Sequence, residues 1–389
     1  MFFFAYLFKS GKSHLSNYFR ERESSNFSRA SERLKEVNLL FEPFMKAIRD
    51  NNVKVVKEIL SELLHNNTEH INIRCKQDTT ALMLAAANGH LLTVEFLVKN
   101  GDDVKSTNKD GDTVLHRAVE RGNLSVVEYL VKNGADIKST NKDGVTVLHQ
   151  AVWGANLSVV EYLVKNGADI KSTNKDGDTV LHRAVERGNP SVVKYLVQNG
   201  ADIKSTNKDG VTVLHRAVEE GNLSVVEYLV QNGADVKSTN KDGDTVLHRA
   251  VKCGNLSVVE YLVQNGADIE STNNDGETVL HFAASWGYLP IVKYLLQHGA
   301  NLDRRDKRFW TPLTGASETC EWDVMRALLD WGADVNADGG LALRWAIEGG
   351  EWSIVKSLVD KQASVKESAI DENLSEFKNK FPNYEFRRE

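Results

Sequence analysis

The sequence predicts an all-α solenoid, an extended and gently curved stack of helix–turn–helix units joined by hairpin-like fingers. A block of 33 residues begins at Asp110 and recurs without insertion at Asp143, Asp176, Asp209, Asp242 and Asp275. A fixed period of this size indicates one supersecondary unit that is stacked many times. Within each unit the apolar residues recur at helical spacing, which identifies the units as helical.

The first clear copy of the unit contains two short helices. Apolar residues over 114–119 mark the first helix, and Gly122 stops it. Asn123 or Ser125 can cap the second helix, and Gly134 follows its end, where a left-handed residue is favoured.

The polar stretch at 135–144 predicts an extended turn or hairpin, here called a finger, because it is rich in Asp, Asn and Gly. Neither helix of a unit is long enough to be stable alone in water. Stability must therefore come from burying each helix pair against its neighbours. Such a stack offers a long recognition surface and no deep pocket.

Three motifs of the repeat pattern carry a family resemblance: G-x-T-x-L-H-x-A, then G-N-L-x-V-V-x-x-L, then N-G-A-D-I. The unit closely resembles the ankyrin repeat over residues 77–338, and weaker copies extend to about 44 and 365. The family's usual Pro after the Thr is replaced by Val in six copies and returns at Pro312. Because Pro is pre-organised for a helix start, we expect a small loss of stability per repeat and an unchanged fold.

The resemblance divides the chain into three parts. These are a Phe-rich and polar segment at 1–43, a repeat array at 44–365, and a capping helix with a tail at 366–389. The predicted units are about 44–76, 77–109, 110–142, 143–175, 176–208, 209–241, 242–274, 275–307, 308–338 and 339–365. The connection that starts at Ser61 is longer than the others. Four apolar residues are expected to lie on one helical stripe that closes the stack: Ile370, Leu374, Phe377 and Phe381.

The middle units are nearly identical to one another, which indicates recent duplication. The residue before the Thr alternates along the array: Asp112, Val145, Asp178, Val211 and Asp244. This second period predicts that pairs of units were copied together. The middle repeats therefore reflect common origin, and we interpret them as scaffold.

Composition narrows the range of partners. The formal net charge is -6, with 48 basic and 54 acidic residues, and no face is built as a polycation, so nucleic acid is not expected to bind. The three cysteines, Cys75, Cys253 and Cys320, fit no disulfide or metal spacing. We expect a monomeric cytoplasmic protein without a cofactor.

One histidine recurs at the same position of each unit: His116, His149, His182, His215, His248 and His281. In ankyrin repeats this position typically ties neighbouring fingers together by hydrogen bonds, so the resemblance implies a structural role and no metal site. No Ser-His-Asp, paired-Glu or Gly-rich arrangement can be distinguished from the residues that recur with the repeat. Enzymatic activity is therefore not expected.

The resemblance implies that partners bind along the fingers and the inner helices. Two sets of residues are the candidate anchors there, since exposed Trp and Arg are favoured at interfaces. They are the aromatic residues Phe282, Trp286, Trp310, Trp331 and Trp345, and the basic residues Arg117, Arg183, Arg216 and Arg249. The alternative is that the late repeats are merely older, with their aromatic rings packed between layers. Trp322 and Trp352 already occupy core positions of the pattern.

These observations predict a non-catalytic scaffold or adaptor that binds a protein partner along the concave surface of the array. Two alternatives remain open. The run Phe2–Phe8 is too short to span a bilayer but could tether the protein to a membrane. Similar arrays also occur in effectors that intracellular bacteria deliver into a host cell.

Overall fold

The computed structural model describes residues 43–65, 78–370 and 373–387. Within these ranges the chain forms helices, turns and isolated antiparallel bridges but no strand, so the predicted all-α class is confirmed. The described chain falls into two compact units that divide between Lys142 and Asp143. The expectations for the segment at 1–42, including the Phe2–Phe8 tether, lie outside the described residues. None of the helices in the described ranges is long and apolar enough to cross a membrane.

Each repeat contributes a first helix and a second helix. In the first unit the first helices cover 43–49, Ala81–Ala87 and Val114–Val119, and the second helices cover Val53–His65, Leu91–Lys99 and Leu124–Lys132. In the second unit the first helices are Val147–Trp153, Val180–Glu186, Val213–Glu219, Val246–Lys252, Val279–Ser285, Pro312–Glu318 and Leu341–Glu348. The second helices there are Leu157–Lys165, Pro190–Gln198, Leu223–Gln231, Leu256–Gln264, Leu289–Gln297, Trp322–Asp330 and Trp352–Asp360. A short helix, Leu374–Lys380, follows the last pair.

A threonine and the repeat histidine start each first helix of the middle repeats. Thr212 Oγ1 accepts from the backbone N–H of His215, and His215 Nδ1 accepts from the backbone N–H of Thr212, both at 3.2 Å. This is a capping box in which His takes the place of the usual Glu or Gln. The box satisfies two backbone donors at the helix start, so the helix forms with Val where the family usually has Pro.

Three second helices of the middle repeats begin at an asparagine that also links successive repeats: Asn189, Asn222 and Asn255. The side-chain oxygen of Asn222 accepts from the backbone N–H of Val225, and its Nδ2 donates to the carbonyl oxygen of Gly188 in the preceding repeat, at 3.0 Å. Gly233 follows the end of the same helix with φ +94°, a conformation that Gly adopts without steric cost. One residue type therefore caps the helix and holds the stack together.

The core is formed by the same apolar positions in every repeat. In the repeat at 209–241 the first helix buries Val213 and Leu214 completely, and the second helix buries Val225, Val226 and Leu229. Within each compact unit, first helices of successive repeats pack against each other, and so do the second helices. Successive fingers are joined by backbone hydrogen bonds, such as Lys208 N to Asp176 O at 2.9 Å.

The two ends differ in detail from the prediction. The helix that begins at Val53 continues to His65, so the predicted connection from Ser61 is helical at its start. Near the C-terminus, Ile370 follows a short 3-10 turn and lies before the last helix, so it is not on the predicted stripe. Asn373, with φ +58°, turns the chain before that helix starts. Phe377 is fully buried within it.

Candidate functional site

The repeat histidines use both ring nitrogens in hydrogen bonds. In the second unit each Nε2 lies 3.1–3.2 Å from a backbone carbonyl oxygen of the next finger. The pairs are His149 with Asp178, His182 with Val211, His215 with Asp244, His248 with Glu277, and His281 with Trp310. Because Nδ1 faces the N–H and O–H donors of the capping threonine, Nδ1 is the acceptor and Nε2 carries the proton.

Burial keeps these rings neutral. It lowers the pKa of His149 and of His215 to about 4, although the hydrogen bond from Nε2 to a backbone carbonyl raises the pKa. Burial also lowers the pKa of His182, His248 and His281. Over the residues that the structure describes, no group of His, Cys, Asp and Glu side chains is arranged to hold a metal ion.

The arginine column is neutralised within the chain. Arg117 pairs with Glu120 and Arg183 with Glu186, each at 3.0 Å. Glu219 pairs with both Arg216 and Arg249 at 3.1 Å. Partly exposed pairs of this kind contribute little to stability, and their acids compete with any acidic partner. The middle repeats therefore present a self-compensated ionic surface.

The structure brings two of the predicted aromatic residues into contact. The rings of Trp310 and Trp345 meet edge to face, with 5.1 Å between their centroids. In one pair of middle repeats the equivalent positions are held by Asp178 and Arg216, whose charged groups lie 4.0 Å apart, whereas Val145 and Val211 take the place of the acid in others. An aromatic pair thus takes the place of an ionic pair. Both indoles are half-buried.

The other predicted aromatic residues occupy separate positions. Phe282 is partly exposed and contacts the ring of His248 edge-on, with 5.6 Å between centroids. Trp286 follows the same first helix as its C-cap and is 51% exposed. Trp331 is 48% exposed but ends a second helix, apart from the first-helix positions. We call Phe282, Trp286, Trp310 and Trp345 the aromatic surface.

Comparison with known families agrees with this geometry. The family described as ankyrin repeats (3 copies) matches residues 31–108, 82–174, 148–240 and 233–306. The matches together run from 31 to 306, well over half of the chain. The chain belongs to the ankyrin-repeat family. No curated protein matches it.

The extent of the ankyrin array corrects one prediction. The matched residues support roughly eight to nine repeats, whereas the sequence pattern predicted ten. Two further helix pairs follow the matched region, Pro312–Glu318 with Trp322–Asp330 and Leu341–Glu348 with Trp352–Asp360. Their sequences depart from the ankyrin pattern, for example where Thr314 replaces the repeat histidine.

Two tryptophans of the late repeats, which the sequence pattern placed at core positions, contact neighbouring residues. The Trp322 ring lies against the next repeat, since a Cβ on Gly349 would come 2.8 Å from Trp322 Cζ2. The Lys380 ammonium stands 5.2 Å from the Trp352 ring centroid. Both residues are half-buried, not fully buried. Their packing role remains a prediction.

Two exposed aromatic residues of the ankyrin array were missed by sequence reasoning. Phe309 is 70% exposed at a fingertip, and Trp153 is 40% exposed with the guanidinium groups of Arg183 and Arg187 above its ring. The signal was present in the repeat pattern, because Phe309 stands where six copies, from Gly111 to Gly276, have Gly, and Trp153 where several have Glu. A comparison of side-chain size at equivalent positions of the repeats identifies both residues.

Proposed function

We propose that this ankyrin-repeat protein is a non-catalytic scaffold that binds a protein partner, and that the aromatic surface of its late repeats supplies the anchors. The observation that carries the proposal is the replacement of an ionic pair by the Trp310–Trp345 pair. Large rings held in place by neighbouring residues are desolvated by a partner at low entropic cost.

The paired charges of the middle repeats make that surface a less favourable site for a partner. A partner that covers Arg216 and Arg249 must also cover Glu219, which already pairs with both guanidinium groups. Removing such charges from water costs free energy that new contacts have to offset. The half-buried rings of Trp310 and Trp345 are themselves uncharged, and the paired charge that lies against them is the Arg308 guanidinium, 3.9 Å from the Trp310 ring centroid. We therefore take the uncharged rings of the late repeats as the better anchor.

The repeat histidines fit a structural role in this scheme. A general base needs a ring nitrogen free to take a proton, and a metal ligand needs an unshared nitrogen lone pair. In His215 one nitrogen donates to the next finger and the other accepts from the capping threonine. We assign the histidine column to the ties between fingers and propose no catalytic role for it.

Truncating the aromatic surface is expected to weaken partner binding without unfolding the array. Trp286→Ala and Trp310→Ala should each raise the Kd for the partner by about 30-fold, because loss of a central anchor costs about 2 kcal/mol. The partner would first be captured with the wild-type protein and identified by mass spectrometry, and its Kd for each variant then measured by isothermal titration calorimetry.

The control for this experiment is Trp331→Ala, which removes an equally large exposed ring from the end of a second helix. We expect its Kd to match that of the wild-type protein. Normal binding by both aromatic-surface variants, or a loss confined to Trp331→Ala, would place the site elsewhere. Circular dichroism of each variant verifies that the array remains folded.

A further inference from the structure

One finger of the array differs from the others in both charge and apolar character. It connects the second helix that ends at Gln297 to the first helix that begins at Pro312. Where the finger at 135–146 has Ser139, Thr140, Asp143, Gly144 and Val145, this one has Arg304, Arg305, Arg308, Phe309 and Trp310. We call the segment 304–310 the basic–aromatic finger.

Phe309 stands in a conformation that costs free energy. Its φ is +66°, in the left-handed region that the glycines at the same position occupy, such as Gly276 with φ +79°. A side chain is disfavoured there, and this one is also the most exposed of the large apolar residues that the structure describes. Neither the conformation nor the exposure contributes to folding. Costly features of this kind point to a functional constraint.

The tip is held in place from inside by Asp306. Its carboxylate is buried and accepts from the backbone N–H groups of Arg308 and Trp310, each at 2.8 Å, and from Arg308 Nε at 2.9 Å. The Arg308 guanidinium in turn lies 3.9 Å from the Trp310 ring centroid. Phe309 is therefore presented by a pre-organised turn, which lowers the entropic cost of binding.

The cations of this finger fall into two groups. Arg308 is paired with Asp306 and with Glu277, and the Lys307 ammonium donates to the backbone carbonyl of Asn274. Arg304 and Arg305 are exposed, and in the described part of the chain no acidic side chain lies within ion-pair distance of either. The tip thus combines two uncompensated positive charges with one exposed aromatic ring.

We propose that the basic–aromatic finger binds an acidic segment of a protein partner, whose carboxylates meet Arg304 and Arg305 and whose apolar side chain covers Phe309. This inference rests on the proposed function and names the chemistry of the partner. Charge complementarity carries it, because the two free guanidinium groups suit carboxylates. A lipid surface fits less well, since interfacial binding requires a broad apolar face and this tip offers one exposed ring.

The test uses the full-length protein and a fluorescent random copolymer of glutamate and tyrosine, with binding followed by anisotropy. The variants restore the residues of the middle fingers: Phe309→Gly alone, and Arg304→Ser together with Arg305→Thr. Each is expected to raise the Kd for the copolymer by about tenfold, equivalent to about 1.4 kcal/mol. Phe309→Gly should also raise the melting temperature, because Gly removes the strain. Loss of binding together with a gain of stability cannot result from misfolding.

The matched control is Lys204→Ser, which removes an exposed cation from a middle finger and should leave the Kd unchanged. Equal binding of the copolymer by wild-type protein and finger variants, or no binding by the wild-type protein, would overturn the inference. Stronger binding to oligothymidine or to phosphatidylserine vesicles, lost in the same variants, would overturn it in favour of a nucleic acid or a membrane. If the finger variants bind the copolymer normally but Trp286→Ala and Trp310→Ala still weaken binding of the captured partner, the finger proposal fails and the proposed function is still supported.

Discussion

Lowering the pH from about 7 to about 4 is expected to cost the ankyrin array several kcal/mol of unfolding free energy, because its buried histidines resist protonation. The pKa of His149 and that of His215 are lowered to about 4, whereas a histidine in the unfolded chain titrates near 6.5. Between these values the unfolded chain binds more protons than the folded one. Stability is therefore fully present above the unfolded pKa and is lost as the pH falls.

The structure gives the reason for this resistance. The rings are buried, and a proton on Nδ1 of His215 would face the N–H and O–H of Thr212, which now donate to that nitrogen. Protonation of Nδ1 would break the hydrogen bond from the Thr212 backbone N–H, which is one of the two bonds of the capping box. Each unit of pKa shift corresponds to about 1.4 kcal/mol, so a few buried histidines suffice to make the array labile to acid.

Urea unfolding of the wild-type protein and of His149→Gln/His215→Gln over this pH range measures the effect. Gln preserves the capping box and does not titrate, so the double variant should lose less stability on acidification. The comparison is needed because burial raises the pKa of Asp102 to about 7. Protonation of this carboxyl therefore stabilises the folded protein as the pH falls, which opposes the effect of the histidines. Identical pH profiles for the two proteins would show that the histidines do not cause the acid lability.

Gly340→Ala is expected to destabilise the last repeat by about 3 kcal/mol, because two penalties act together. Gly340 has φ +98°, and a Cβ there would overlap the carbonyl oxygen of Ser364. The residue is the N-cap of the helix that carries Trp345. The variant should therefore also disturb the Trp310–Trp345 contact. Urea unfolding followed by tryptophan fluorescence reports both effects.

Gly332→Ala separates the two penalties. Gly332 has φ +95°, yet a Cβ there would meet no atom within 4 Å. Only the backbone penalty of about 1–2 kcal/mol remains. Equal destabilisation by the two variants would show that the close approach to Ser364 contributes nothing.

The sequence predicted the helices of the middle repeats well because each is bounded by residues with a local role. Thr212 and Gly233 illustrate this, since one starts a helix through its own side chain and the other ends a helix through its backbone freedom. Where these signals are absent, the prediction was less accurate. The helix from Val53 runs past its predicted end, and the helix at Leu374 starts later than the apolar stripe indicated.

The candidate site was harder to predict because it depends on contacts between repeats. Columns of the pattern identify Trp310 and Trp345 as unusual, but only the structure shows that the two rings meet edge to face. The pairing of Arg183 with Glu186 could have been inferred from their spacing on one helix. Sharing of Glu219 by two arginines could not, since Arg249 belongs to the next repeat.

Hydrogen exchange of the protein with and without its captured partner tests the central claim, that the late repeats carry the partner site on a structural scaffold. We expect the partner to slow amide exchange in Val279–Ser285, in the finger at 300–311 and in Leu341–Glu348. Exchange in Val180–Glu186 and Val213–Glu219, where the arginines are paired with acids, should remain unchanged. Protection confined to those two middle helices would contradict the account.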